Sequence, residues 1–164
     1  MSVRVRVIGC GNPDAGDDAL GLAATRELRS RLGTQVRGVD IVEAGPALAV
    51  LDLLDDAEMV FVVDAVRTPG GRRAPGTIVW AEAGPDGLPT DLRSSLSSHG
   101  IGVAEAVGLA AALERAPRIL FLGVEVADVT AGHGLSPAVA RALQDLLECL
   151  ETEVRSLLTE VLPP

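Results

Sequence analysis

The chain of 164 residues contains no lysine and no tyrosine, and only two cysteines, two histidines, two phenylalanines and one tryptophan. Each scarcity removes a class of function. All fourteen basic residues are arginine, so there is no Walker lysine and no Schiff-base lysine, which excludes an ordinary pyridoxal phosphate enzyme. Phe61, Phe121 and Trp80 are too few to build a base-stacking platform. The formal net charge of −9 argues against nucleic acid and anionic membranes as main partners. Cys10 and Cys149 form neither a disulfide framework nor a metal-ligand spacing. No stretch approaches the length of a membrane span. Arg4 and Arg6 fall inside the only N-terminal apolar run, which argues against a signal peptide. The expectation is a cytoplasmic protein that is monomeric and binds neither nucleic acid nor membrane.

What is present is apolar: 48% of the residues are hydrophobic. That length and composition suit one domain, residues 1–164, with a real core. Strand-like stretches cover 3–9, 37–43, 58–65, 76–82 and 118–125. "MVFVV" and "ILFLGV" are continuous apolar runs, as expected of central strands covered on both faces. Helix-like stretches lie between them at 18–32, 46–56, 100–115 and 136–162. Pro46 and Pro137 occupy first-turn positions, and Ser136 reads as an N-cap. Alternation of this kind predicts an α/β fold: a mostly parallel five-stranded sheet with helices on both faces. Residues 66–76 read as a loop, so strands four and five depart from strict alternation. The irregular stretch 83–98 is long for a simple connection and is a candidate lid or binding loop.

The chemistry gathers at strand ends. "GCGNPDAGDDALG", residues 9–21, joins the first strand to the first helix. Gly9 and Gly11 begin a dinucleotide fingerprint, but Asp14 stands where its third glycine belongs. Asp14, Asp17 and Asp18 would repel a pyrophosphate unless a cation intervened. Asp17 and Asp18 open a helix, where acids cap free N–H groups, and Asp17 is read as that cap. Asp64 ends the most apolar strand, in "VFVVDAV". His99, in "SSHGIGVAEA", follows an irregular loop and precedes a helix. In an open α/β sheet, ligands bind beyond the carboxyl ends of the strands. Asp18, Asp64 and His99 there would form an oxygen and nitrogen site suited to nickel, zinc or manganese. Metal-free acid catalysis by Asp18 with Asp64 is the alternative. Cys10 reads as a small buried residue rather than a nucleophile, and Ser98 as a helix cap. Asp14, Glu43, Glu125 and His133 have no assigned role.

These residues resemble the hydrogenase maturation proteases. "GCGNPDAGDDALG" is similar to their N-terminal signature, roughly G-x-G-N, four residues, D-D/E-G/A-x-G. "FVVDAV" resembles their aspartate-bearing strand, "SSHGIGVAEAVGLA" their histidine segment, and "LFLGVEVADVTAGHGLSPAVARAL" their C-terminal stretch. The resemblance runs in order across nearly the whole chain. Ala19, in place of the more usual glycine, and "VEAGPA" at 42–47 depart from the pattern.

The resemblance implies a three-layer α/β/α sandwich around a twisted sheet. It implies an endopeptidase that removes the C-terminal extension of a nickel–iron hydrogenase large-subunit precursor after nickel insertion. It further implies that Asp18, Asp64 and His99 are both the catalytic and the metal-contacting residues. The nickel would be carried by the precursor and need not be retained by this protein. A non-catalytic nickel- or precursor-binding maturation factor of the same fold, and a nucleotide- or phosphate-binding α/β protein, are the competing readings.

Overall fold

The computed structural model describes residues 3–33, 36–45, 47–89, 92, 102–113 and 117–159. Five strands form one sheet: β1 (Val3–Cys10), β2 (Val39–Ala44), β3 (Ala57–Val66), β4 (Ile78–Glu82) and β5 (Arg118–Glu125). Their order is β2-β1-β3-β5-β4. The first four in that order are mutually parallel. β4 runs antiparallel to β5 at the edge, which is where the loop at 66–76 breaks the alternation. That loop contains one 3₁₀ turn, Pro69–Gly71.

Period-two alternation sends each strand's side chains to two cores. Val5, Val7, Phe61, Val63, Leu122 and Val124 meet α1 (Leu20–Leu32) and α4 (Pro137–Thr159) on one face. Ile8, Cys10, Val60, Val62, Ile119 and Phe121 meet α2 (Ala49–Asp52) and α3 (Val103–Ala112) on the other. The expected α/β fold with helices on both faces is therefore the fold observed. In α4, Leu143, Leu146, Leu147, Leu150 and Val154 are all buried, one stripe at helical spacing laid on the sheet.

One expectation needs correction. The helix expected at 46–56 is a single turn, Ala49–Asp52. The carbonyls that would continue it are taken by Arg6, whose Nη1 donates to Leu53 O at 2.6 Å and Asp55 O at 2.7 Å. Arg6 Nε also donates to Asp40 at 2.9 Å. So Arg6 belongs inside β1 and fastens the sheet to the loop before β3. Ser136 stands at the N-cap position of α4, its carbonyl accepting from Ala140 N at 2.8 Å, while its hydroxyl donates to Asp17. The predicted helix ends at 100–101, 114–115 and 160–162, Pro46, and residues 90, 91 and 93–98 of the 83–98 segment lie outside the described residues.

The first turn of α1 presses on β1 and β3 with no side chain between. A Cβ on Gly21 would overlap the carbonyl oxygens of Cys10 and Val63, and one on Gly9 would overlap the carbonyl of Gly21. Replacing glycine by alanine inside a helix ordinarily stabilises it by up to about 1 kcal/mol. Here the sign should reverse. Gly21→Ala is expected to lose about 3 kcal/mol through overpacking, measured as a lower urea midpoint at unchanged slope.

Candidate functional site

The chain enters the sheet at β1, adds β2 on one side, and returns to place β3 on the other. The crevice of such a sheet opens between β1 and β3, beyond their carboxyl ends. Asp64 stands at that end of β3, one residue past the Gly9–Val63 register pair. Asp18 follows β1 in a 3₁₀ turn, Gly16–Ala19, that leads into α1. Gly11, at φ 137°, lets the chain fold back over this turn; a side chain there would overlap the Asp18 carbonyl. The structure therefore brings Asp18 and Asp64 to one place from two strand ends. His99, the third predicted ligand, lies outside the described residues. Among the described residues, no three acids, histidines or cysteines are gathered closely enough to hold a metal ion.

Adjacent aspartates in the opening turn behave oppositely. Asp17 is fully buried. Its carboxylate accepts four hydrogen bonds, from the N–H groups of Ala127 and Asp128, both at 2.8 Å, and from Ser136 N at 2.6 Å and Ser136 Oγ at 2.9 Å. Burial pushes its pKa up, but those donors together hold it below the usual carboxylate range. This corrects the expectation that Asp17 caps its own helix: it makes no cap bond there and instead ties the β1–α1 turn to the β5–α4 loop.

Asp18 is half-buried and accepts one hydrogen bond, from Asn12 N at 3.2 Å. Burial raises its pKa, with that bond pulling the other way. Asp64 is 8% exposed. Its pKa is pushed well up, first by burial, then by the charges of Asp18 and Glu105, against a single opposing N–H from Ala65. Among the described residues, neither carboxylate has an arginine or histidine partner. Two acids held this way favour a proton or a cation between them.

Cys10 ends β1 beneath this pair. Burial, then Asp64, then Asp18 push its thiol pKa well above the ordinary value. It is a neutral core residue, in agreement with the sequence reading.

The other acids and the second histidine are used structurally. Glu43 is paired with Arg26 through two hydrogen bonds, 3.0 and 3.1 Å. Glu125 is buried and accepts from Thr68 N at 2.8 Å and Thr68 Oγ1 at 2.7 Å, while Arg73 donates to the same hydroxyl. His133 Nδ1 lies 2.9 Å from Asp128 Oδ2 in an exposed loop. Bonds from Thr130 and His133 hold the Asp128 carboxyl down at about 2. Asp14 contributes backbone: its N–H donates to Asn12 Oδ1 and its carbonyl accepts from Gly132 N. Its side chain is exposed.

Sequence reasoning passed over Glu105. It is the one charged residue in α3, "VAEAVGLAAA", and an isolated acid on an apolar helix was a readable signal.

The sequence model of the family described as "Hydrogenase maturation protease" (HycI) matches residues 23–153. That match begins after the opening glycine and aspartate motif, so the motif is independent of it. No curated protein sequence matches the chain. Among solved structures, the chain is similar to the hydrogenase maturating endopeptidase HybD from E. coli, with 21% identity, 93% of each chain covered and a TM-score of 0.74. It is similar to an endopeptidase from Escherichia coli solved in solution, with 22% identity, 93% of each covered and a TM-score of 0.77. It is also similar to the HycI maturation protease of Thermococcus kodakarensis, with 21% identity, 96% and 94% covered and a TM-score of 0.67. These likenesses establish the fold. Among the described residues, no helix is long and apolar enough to cross a membrane.

Two measurements check the site's electrostatics. Asp17→Asn should lose about 3 kcal/mol at neutral pH, since it removes charge-assisted bonds from a buried position. A depressed carboxyl pKa stabilises the fold above the unfolded value of about 3.9 and loses that contribution as pH falls through the folded value. The gap between wild type and Asp17→Asn in chemical unfolding should therefore shrink below about pH 4. Thiol labelling of the native protein should modify exposed Cys149 quickly and leave buried Cys10 unreacted until unfolding.

Proposed function

The chain belongs to the hydrogenase maturation protease family, and from that premise we propose that it cleaves the C-terminal extension of a nickel–iron hydrogenase large-subunit precursor once nickel is in place. The observation that carries this reading is the pair Asp18 and Asp64: two carboxylates from separate strand ends, at the crevice of the sheet, both with raised pKa and neither with a basic partner among the described residues. Such a pair lacks a counter-charge. A precursor that arrives with its own divalent cation supplies one.

In this reading nickel is part of the substrate. Asp18 and Asp64, with His99 as a third ligand, contact the precursor's nickel and align the scissile peptide beside it. A water activated by a carboxylate or by the metal attacks the carbonyl carbon. The new carbon–oxygen bond forms, the carbon–nitrogen bond breaks, and the water's proton passes to the departing amine.

The test is incubation with a nickel-loaded large-subunit precursor, read by the mass of its C-terminus. Wild type should release the extension. Asp18→Asn, Asp64→Asn and His99→Ala should each slow release by about 100-fold or more, while thermal unfolding of the two amide variants stays at or above wild type. Normal cleavage by Asp18→Asn and His99→Ala would sink the site assignment. Tight binding of the precursor without cleavage by wild type would select the non-catalytic maturation factor instead.

A further inference from the structure

α3 lies on the sheet face that also carries Asp64 and Cys10. Val107 and Ala110 pack there against Ile8, Val60, Val62 and Phe121. Asp64 shares that face by alternation with Val60 and Val62. Glu105 sits in the first turn of α3, the turn nearest the helix's entry. Its Oε2 is buried and has no hydrogen-bond partner, and it is the sole buried side-chain nitrogen or oxygen in that condition among the described residues. Its charge also acts on Asp64. Helix N-termini tolerate acids, but that does not account for an oxygen left empty: the nearby Ala106 N–H is committed to Gly102 O.

Buried polar atoms without partners are few in native proteins and costly where they occur. Beside it stands the Asp64 carboxyl, whose own ionisation the Glu105 charge makes harder. The cost is explained if the missing partner is a donor that arrives with the substrate. A polypeptide laid across the β1–β3 crevice under α3 brings backbone N–H groups as its commonest donors.

We propose that Glu105 is a substrate-binding residue of the Asp18–Asp64 site: its carboxylate, unpartnered and shut from solvent in the resting chain, turns to accept a backbone N–H of the precursor close to the scissile bond. This rests on the peptidase reading above and adds a residue to it. It makes the resting protein less stable than it could be and the complex tighter, a trade found where structure is spent on function.

The experiment compares wild type, Glu105→Leu and Glu105→Gln on the nickel-loaded precursor, with thermal unfolding of each. Leucine removes the acceptor; glutamine keeps an acceptor oxygen and discards the charge. Glu105→Leu should unfold about 2–4 °C higher than wild type and lose about tenfold in kcat/KM through KM, with kcat nearly unchanged. Glu105→Gln should recover most of that loss. Three results would overturn the proposal: a leucine variant with wild-type KM, a leucine variant that unfolds at lower temperature, or a glutamine variant as impaired as leucine. Calorimetric binding of uncleaved precursor separates this from the reading beneath it. If wild type binds but never cleaves, the peptidase reading fails, and Glu105 is still judged by whether leucine weakens Kd about tenfold.

Discussion

The carboxylate of Asp17 holds the two halves of the site's frame together. It is buried, and an ion taken out of water without compensation costs several kcal/mol. Four donors from Ala127, Asp128 and Ser136 surround it, each charge-assisted bond contributing about 1.5–3 kcal/mol. The lowered pKa shows which side of that balance wins. Asp64 shows the opposite outcome from the same ingredients: comparable burial, one opposing N–H, and a pKa pushed up. The number of donors thus separates an acid held ionised from one that resists ionising. Because Asp17 fixes the turn, its neighbour Asp18 is held over the crevice without having to satisfy the fold itself.

The glycines complete that frame by subtraction. Gly9 and Gly21 let α1 rest directly on β1 and β3, and Gly11 lets the turn fold back on Asp18. In a dinucleotide-binding turn the same close approach presents helix N–H groups to phosphate. Here the turn presents a carboxylate, so similar backbone mechanics put an acid where that turn puts N–H donors. That is why the opening stretch looks like a phosphate loop while its acids contradict one.

Which features were readable followed from their range. The five strands and the sheet's parallel core came from apolar runs that are local in sequence. Asp64 was legible because it is the one charged residue breaking the apolar run "VFVVDAV", near the carboxyl end of β3. Asp18 was legible as part of an acidic turn. Asp17 was not, since its partners lie 110 to 119 residues away and nothing local distinguishes a cap from a long-range tie. The short α2 was hidden for the same reason: Leu53 and Asp55 yield their carbonyls to Arg6, 47 and 49 residues earlier. Glu105 was visible as a lone acid on an apolar helix. Its significance depends on an empty position around one oxygen, which periodicity does not report.

Seen together, Asp18 and Glu105 both act on Asp64, and the three acids have few donors to offset them. No energetic argument from the isolated fold favours that arrangement; apolar or amide residues of similar size would serve the core better. Three other acids among the described residues are treated otherwise. Glu43 has Arg26, Glu125 has Thr68, and Asp128 has Thr130 and His133. The contrast within one molecule is the argument. Where charge concerns only the fold, it is paired within the fold; at the β1–β3 crevice it is left open, and the proposed substrate, which brings both a cation and N–H donors, would settle both deficits at once.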